Sequence, residues 1–189
     1  MKVRKIHLLI GPFILVLSII ACTLNIGGPA YPGQHIPVST EAAGELQSAI
    51  QTAVAAGKET GQESLVITES QLTSYLAARL ETQGQPLFTD PQVYLQNGQI
   101  QVYGTAQQGY FQAYIKIVVT TGVDDQGQPK IELTSADFGP LPVPAGLNAA
   151  VSGAIQEAYI GAIGPMAIGF RLESITIADG RMTIFGRTK

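Results

Sequence analysis

A nucleophile needs a base beside it, and this chain offers few of either. Its 189 residues include one cysteine, Cys22, and two histidines, His7 and His35. His35 lies in a stretch rich in Gly and Pro, and neither Ser135 nor Ser152 sits in an elbow motif, so acyl transfer has no platform. A zinc site wants clustered His, Cys and carboxylate, and the sequence has no such cluster. Asp124-Asp125 could offer oxygens to Ca²⁺, but no alternating ligands follow, and a solvated turn accounts for the pair. Glu69, Glu81, Asp90, Glu132, Asp137 and Glu173 fall at element ends or on polar faces. Paired carboxylates could cleave glycosides, but without a tryptophan and with few aromatics a sugar cleft is disfavoured. No glycine-rich loop resembles a phosphate cradle. The reading is of a protein that is not an enzyme, with no metal and no other cofactor.

The cysteine carries a different chemistry. Lys2, Arg4 and Lys5 form a basic head, and Ile6–Ile20 is an uncharged apolar run that leads into Ile19-Ile20-Ala21-Cys22. Head, apolar run and small residue before the cleavage point make a secretory signal peptide. The aliphatic-aliphatic-small-Cys tetrad resembles the bacterial lipobox. That resemblance implies cleavage before Cys22, which becomes the mature N-terminus, diacylation of its sulfur with palmitate-type chains, and a lipoprotein anchored on the extracytoplasmic side of the cell membrane. Gly11-Pro12, and an apolar run short of the ~20 residues a spanning helix needs, argue against an uncleaved membrane helix. Cleavage removes 21 residues and three cations, leaving 168 residues and moving the formal charge from −3 to −6. That length supports one domain with a real core. An acidic chain without basic clusters is a poor nucleic-acid partner. A single cysteine allows no internal disulfide, so the core must hold unaided.

The elements follow from periodicity. Residues 1–21 are the signal peptide, 22–40 with Gly27-Gly28-Pro29, Pro32-Gly33 and Pro37 a flexible tether, and 41–189 a single lipid-binding-like α+β domain. Ala42, Leu46, Ala49, Ile50 and Val54 share one helical face over Glu41–Ala56, with Ser39 or Thr40 as cap. Gly57–Glu63 is a polar break, and Leu65-Val66-Ile67 a short extended piece. Thr68 caps a second helix, Gln71 completes a capping box, and Leu72, Tyr75, Leu76 and Leu80 form its stripe. Gly84–Pro91 reads as a loop. Asn97-Gly98 predicts a type I′ hairpin. Tyr110–Thr121 is the longest strand, Asp124–Gly127 turns it into Lys130–Phe138, and a last hairpin turns at Asp179-Gly180. The two Asx-Gly hairpins echo each other, and each follows a helix carrying a tyrosine about twenty residues before its turn.

Between them, Phe138–Phe170 spans 33 residues with one charge, Glu157. Pro142 and Pro144 bar a helix before them and Pro165 stops one near Gly164, while Leu147, Val151, Ala154, Ile155, Ala158 and Ala162 recur at helical spacing. A helix apolar nearly all round must be covered on most sides. The expected fold class is therefore α+β: a curved antiparallel sheet of hairpins wrapped around a long apolar helix, with additional N-terminal helices.

The order of pieces resembles the envelope lipid-binding proteins of the LmeA-like and YpmS-like kind, related to half of a tubular lipid-binding (TULIP-type) module. The pieces are Ile67-Thr-Glu-Ser-Gln-Leu-Thr-Ser-Tyr-Leu76, Asn97-Gly-Gln-Ile-Gln-Val-Tyr-Gly104, Gly139-Pro-Leu-Pro-Val-Pro144 and Asp179-Gly-Arg-Met-Thr-Ile-Phe-Gly186, within Leu65–Arg187. The resemblance implies a helix cradled in a curved sheet with lipid in the groove, and no catalytic residue. The groove candidates are the helix face Leu147, Val151, Ala154, Ile155, Ala158 and Ala162, and the strand face Phe111, Ile115, Ile117 and Val119. Two functions are expected from these pieces. One is an anchored lipoprotein that binds or shuttles a lipid or other apolar small molecule. The other is a non-catalytic structural or partner-binding lipoprotein with a dry core, docking through exposed Tyr94, Tyr103 and Tyr114.

Overall fold

Local capping chemistry places the first two helices. In a computed structural model describing residues 23–82, 88–141 and 147–189, Ser39 is extended and its hydroxyl accepts from the Ala42 N–H at 3.0 Å. That cap starts helix α1, Thr40–Thr60, which ends at Gly61 with φ 74°. Its buried residues Ala42, Leu46, Ile50, Ala53 and Gly57 follow the expected stripe. The capping box of Thr68 and Gln71 forms as the sequence predicts and opens helix α2, Glu69–Glu81. The third helix, α3, runs Leu147–Ile163, and Pro165 turns its end into a short 3₁₀ turn, Gly164–Ala167. The side chains of Leu147, Val151, Ala154 and Ala158 lie outside the description.

Strands dominate. They are β1 Leu24–Asn25, β2 Gln62–Thr68, β3 Thr89–Gln96, β4 Gln99–Gln108, β5 Phe111–Val123, β6 Pro129–Asp137, β7 Phe170–Ala178 and β8 Arg181–Thr188. Asn97 and Gly98 both take positive φ, 54° and 72°, the type I′ geometry that fixes the β3–β4 register. Asp179 and Gly180, at 51° and 70°, do the same for β7–β8.

The strands divide into two sheets. One runs β3-β4-β5, with β6 antiparallel on the far edge of β5 and β1 parallel to the start of β5. The other runs β2-β8-β7. This overturns the expected architecture: the described residues form two sheets, and not a single curved sheet wrapped around a long apolar helix. The two echoing hairpins belong to different sheets. Helix α3 packs against β6 and the 3₁₀ turn, and leaves Gly153, Gln156, Glu157, Ile160 and Gly161 exposed along its outer side. Gly153, Ile160 and Gly161, small or apolar, made the helix read as apolar nearly all round, although Gln156 and Glu157 share that side. A glycine or a lone isoleucine on a surface needs no cover. The core instead sits between the inner faces of both sheets and the three helices, joining Leu46, Leu72, Leu95, Ile117, Ile163, Leu172 and Met182 in one cluster.

The segment expected as a flexible tether is docked. The Leu24 and Ile26 N–H groups donate to the Tyr110 and Gln112 carbonyls at 2.8 and 2.9 Å, and the Tyr114 N–H donates to the Gly27 carbonyl at 2.9 Å. Gly28 then passes so close over Tyr114 that a Cβ there would strike its backbone. Further along, the buried Gln92 side chain accepts from the Ile36 N–H at 2.6 Å and donates to the Ile36 carbonyl at 3.2 Å, mimicking a strand partner. This strap covers the outer face of the β3–β4–β5 sheet.

Candidate functional site

Helix α2 lies along the free edge of β3 and satisfies it. The Val93 N–H donates to Thr73 Oγ1 at 3.0 Å, and the Leu95 N–H to Glu69 Oε1 at 2.8 Å. An edge strand's orphan donors are thereby paired by helix side chains, and the edge is closed to another chain. The same anchoring holds the apolar stripe of α2 over the sheet.

Between α2, α3 and the sheet lies a slot of about 50 Å³. Helix α2 lines it with Leu72, Tyr75 and Leu76, the sheet with Val93, Ile100, Val102, Val119 and Ile131, and α3 with Ile155, Tyr159 and Ala162. The only polar atoms these side chains carry are the two tyrosine hydroxyls. The Tyr159 hydroxyl bonds Thr121 Oγ1, and burial pushes its ionisation well above the usual phenol range. On the other side of Tyr75 and Ala162, a larger cleft of about 340 Å³ opens between α1 and the end of α3, lined also by Leu46, Gln47, Ile50, Gln51, Gly161 and Pro165. Tyr75 stands between the two spaces, its hydroxyl so near Gly161 that an added Cβ would sit 3.1 Å away.

Of the sequence-predicted groove residues, Ile155, Ala162 and Val119 do line the slot. Ile115 and Ile117 share the strand face but are packed into the core further along. Phe111, on the same face, lies beyond the core and is exposed. Leu147, Val151, Ala154 and Ala158 lie on α3 with side chains outside the description. The sequence reading missed Leu72, Tyr75 and Leu76: their helical stripe was visible, but nothing in it said what it faces. It missed Tyr159 as well, whose sequence position after the repeat register of Tyr75 was the available signal.

The tyrosines expected as exposed anchors are occupied internally. Tyr94 and Tyr103 are buried under the strap and Tyr114 is half-buried. Tyr31 of the strap packs against Tyr103 and Tyr114 with ring centroids 6.0 and 4.9 Å apart, and Tyr94 meets Tyr103 edge-on at 5.6 Å. Tyr94 Oη also bonds the Gln34 carbonyl. Burial first, then the Asp90 charge, raises the Tyr31 ionisation well above its ordinary range.

The titratable groups are scattered in structural roles. His35 Nε2 lies 3.3 Å from Asp90 Oδ1, and the hydroxyl beside that pair belongs to Tyr31. Asp124 Oδ1 accepts from the Gln126 and Gln128 N–H groups at 2.9 and 2.7 Å, which builds its turn. Glu173 pairs with Arg187 at 3.1 Å. Among the described residues no three of His, Cys, Asp and Glu come together as a metal site. One group stands apart. Glu63 of β2 is 2% exposed, neither carboxylate oxygen has a hydrogen-bond partner among the described residues, and burial pushes its carboxyl up to about 7. It lies over Gly186, where a Cβ would sit 2.8 Å from Oε1, and beside Gly57 and the Phe170 ring. The alternation Glu63, Leu65, Ile67 was the signal that put it inside.

No protein-family model matches the chain, and no curated protein matches it.

Proposed function

We propose that this chain is a membrane-anchored, extracytoplasmic lipoprotein that holds an apolar ligand, an acyl chain or similar, between helices α2 and α3 and the sheet. The observation that carries the reading is the slot: its lining is apolar on every wall apart from two phenol hydroxyls, and one of those is already bonded. Ligand pockets are concave and mostly apolar, with volumes of roughly 300–1,000 Å³. The slot alone is too small, but the adjoining cleft of about 340 Å³ falls in that range and meets the slot at Tyr75 and Ala162. In this reading the ligand occupies the cleft between α1 and α3, and rotation of the Tyr75 ring admits its end to the slot. The lipobox-like Cys22 and the motif order that resembles envelope lipid-binding proteins point the same way. The partner-docking alternative loses support, because Tyr94 and Tyr103, two of its three anchors, are covered by the strap.

The test is fatty-acid uptake by the full chain, read by native mass spectrometry and by displacement of a fluorescent fatty acid. Bound lipid in the wild type, lost in Ala162→Leu with a melting temperature near wild type, is the expected result. A wild type that neither carries lipid nor takes up the probe overturns the reading. So does an Ala162→Leu variant destabilised by the ~1–3 kcal/mol of an overpacked core, which would mean the space was already filled.

A further inference from the structure

Large apolar side chains that face water singly are ordinary, but three of them gathered at one corner are not. Leu24, Tyr110 and Phe111 are 58%, 65% and 49% exposed. They come from two segments far apart in sequence, brought together by the short parallel pairing of β1 with β5: Leu24 stands opposite Phe111, and its N–H donates to the Tyr110 carbonyl at 2.8 Å. The other exposed large apolar residues, Val38, Val66, Ile160 and Ile168, are spread over separate elements.

Two further observations say what covers this corner. The first is charge. No Asp, Glu, Lys, Arg or His occurs from Thr23 to Gln34 or from Pro91 to Ile115, so both segments that build the corner are neutral, with Gln107, Gln108 and Gln112 as its polar rim. Nothing there would have to be stripped of a charge's hydration on entering an interface. The second is position. Cys22 precedes Leu24 by two residues, and two residues of chain reach at most about 7 Å. The corner therefore lies where the chain departs toward Cys22 and, before it, the apolar run Ile6–Ile20. A tyrosine and a phenylalanine beside an aliphatic residue are the side chains that settle at the level of lipid headgroups, where one end of a ring is apolar and the other wet.

We infer that the β4–β5 tip and β1 form a membrane-contact surface: Leu24, Tyr110 and Phe111 insert into the headgroup layer of the bilayer that holds the chain through Cys22. The inference rests on the anchored reading above and deepens it, because it fixes which end of the domain faces the lipid. An apolar contact next to the anchor adds buried area to it and fixes the orientation of the domain on the lipid surface. With no cation in the corner, the contact is indifferent to anionic lipid and to salt.

The chain has no tryptophan, so Phe111→Trp and Tyr110→Trp each introduce a lone reporter, and Val66→Trp on β2 of the other sheet is the control. The full chain is reconstituted into zwitterionic phosphatidylcholine vesicles with brominated acyl chains. A fraction of maleimide-headgroup lipid captures Cys22, the only cysteine, wherever it is not already acylated. The expected result is blue-shifted emission and about twofold or greater quenching for Phe111→Trp and Tyr110→Trp, unchanged by salt, with Val66→Trp unquenched. Reporters at 110 and 111 that emit as in water while the chain sediments with the vesicles overturn the inference. A blue shift that grows with protein concentration in the absence of vesicles also overturns it, since a second copy would then be the occupant. Failure of the chain to sediment with vesicles lacking maleimide lipid counts against the natural anchor alone. The quenching on maleimide vesicles still decides the corner.

Discussion

The Tyr31 hydroxyl shares its proton between the Asp90 carbonyl oxygen at 3.0 Å and the Asp90 carboxylate at 3.1 Å, pinning the N-terminal strap to the first turn of β3. Asp90 holds φ 51° there, and the same carboxylate receives His35. The strap is thus fastened at both ends, by the β1 ladder at one and by Tyr31, His35 and Ile36 at the other.

Loss of that fastening is expected to free the strap without unfolding the core. Tyr31→Phe removes the hydrogen bond and is expected to lower stability by about 1 kcal/mol, whereas Tyr31→Ala also removes the ring packing and lowers it by more. Hydrogen exchange is the discriminating readout. Amides of Ile26 and Ile36 should exchange faster in Tyr31→Ala while those of Ile117 and Ile184 stay protected. Equal loss of protection in both sets would mean strap and core form one cooperative unit.

Glu63 makes stability fall as pH rises. Its carboxyl has an ordinary value of 4.5 and is pushed to about 7 by burial, so the folded state holds the proton more tightly than the unfolded one. Below pH 4.5 the group is neutral in both states and has no effect. Between there and about 7 stability declines, and above 7 the full difference, on the order of 3 kcal/mol, is lost. Glu63→Gln removes the ionisation and should be the more stable protein at pH 8 and close to wild type at pH 4. Urea melts across that range are the check, and parallel pH profiles for the two proteins would refute the assignment.

Truncation beside an existing void should be milder than truncation in dense packing. Leu95 is fully buried in the core, and Leu72 lines the slot. Leu95→Ala is expected to destabilise by about 3–5 kcal/mol and Leu72→Ala by about 2–3, with the latter enlarging the slot and increasing uptake of a branched or aromatic apolar probe. Thermal denaturation gives the first comparison and probe displacement the second. A larger loss for Leu72→Ala would show that its surroundings are as tightly packed as those of Leu95.

Acylation of Cys22 is tested in cells. Cys22→Ala should leave a precursor of undiminished length that takes up no palmitate analogue. A variant that still runs at the size of the cleaved protein and labels with the analogue would refute the lipobox reading.

What was legible in the sequence is what short-range chemistry decides. Ser39, the Thr68–Gln71 pair, Asn97-Gly98 and Asp179-Gly180 each set an element boundary through contacts within four residues, and each stands where the pattern put it. The division into two sheets was not legible. It depends on β2 finding β8, a pairing between residues more than a hundred apart, and nothing in Leu65-Val66-Ile67 names that partner. The strap was hidden for a related reason: Gly and Pro describe a segment's own freedom, whereas its order comes from the remote Gln92 amide and tyrosine rings. Of the slot, Val119, Ile155 and Ala162 were visible as an apolar strand and helix face, and Leu72, Tyr75 and Leu76 on α2 only as a stripe without a destination.

The pairing of β2 with β8 also sets a timetable. Gln62 stands opposite Arg187 and Thr68 opposite Arg181, so the middle strand of that sheet is the final stretch of the described chain. Ribosomes deliver residues in order, and β2 and β7 must wait without their shared partner until β8, Arg181–Thr188, has emerged. A second sheet that lacks its centre until its latest strand is made stays incompletely folded until then. On the extracytoplasmic reading proposed above, that delay keeps the chain threadable during export. Removing β8 would leave two edge strands with no partner and a chain that never completes its fold.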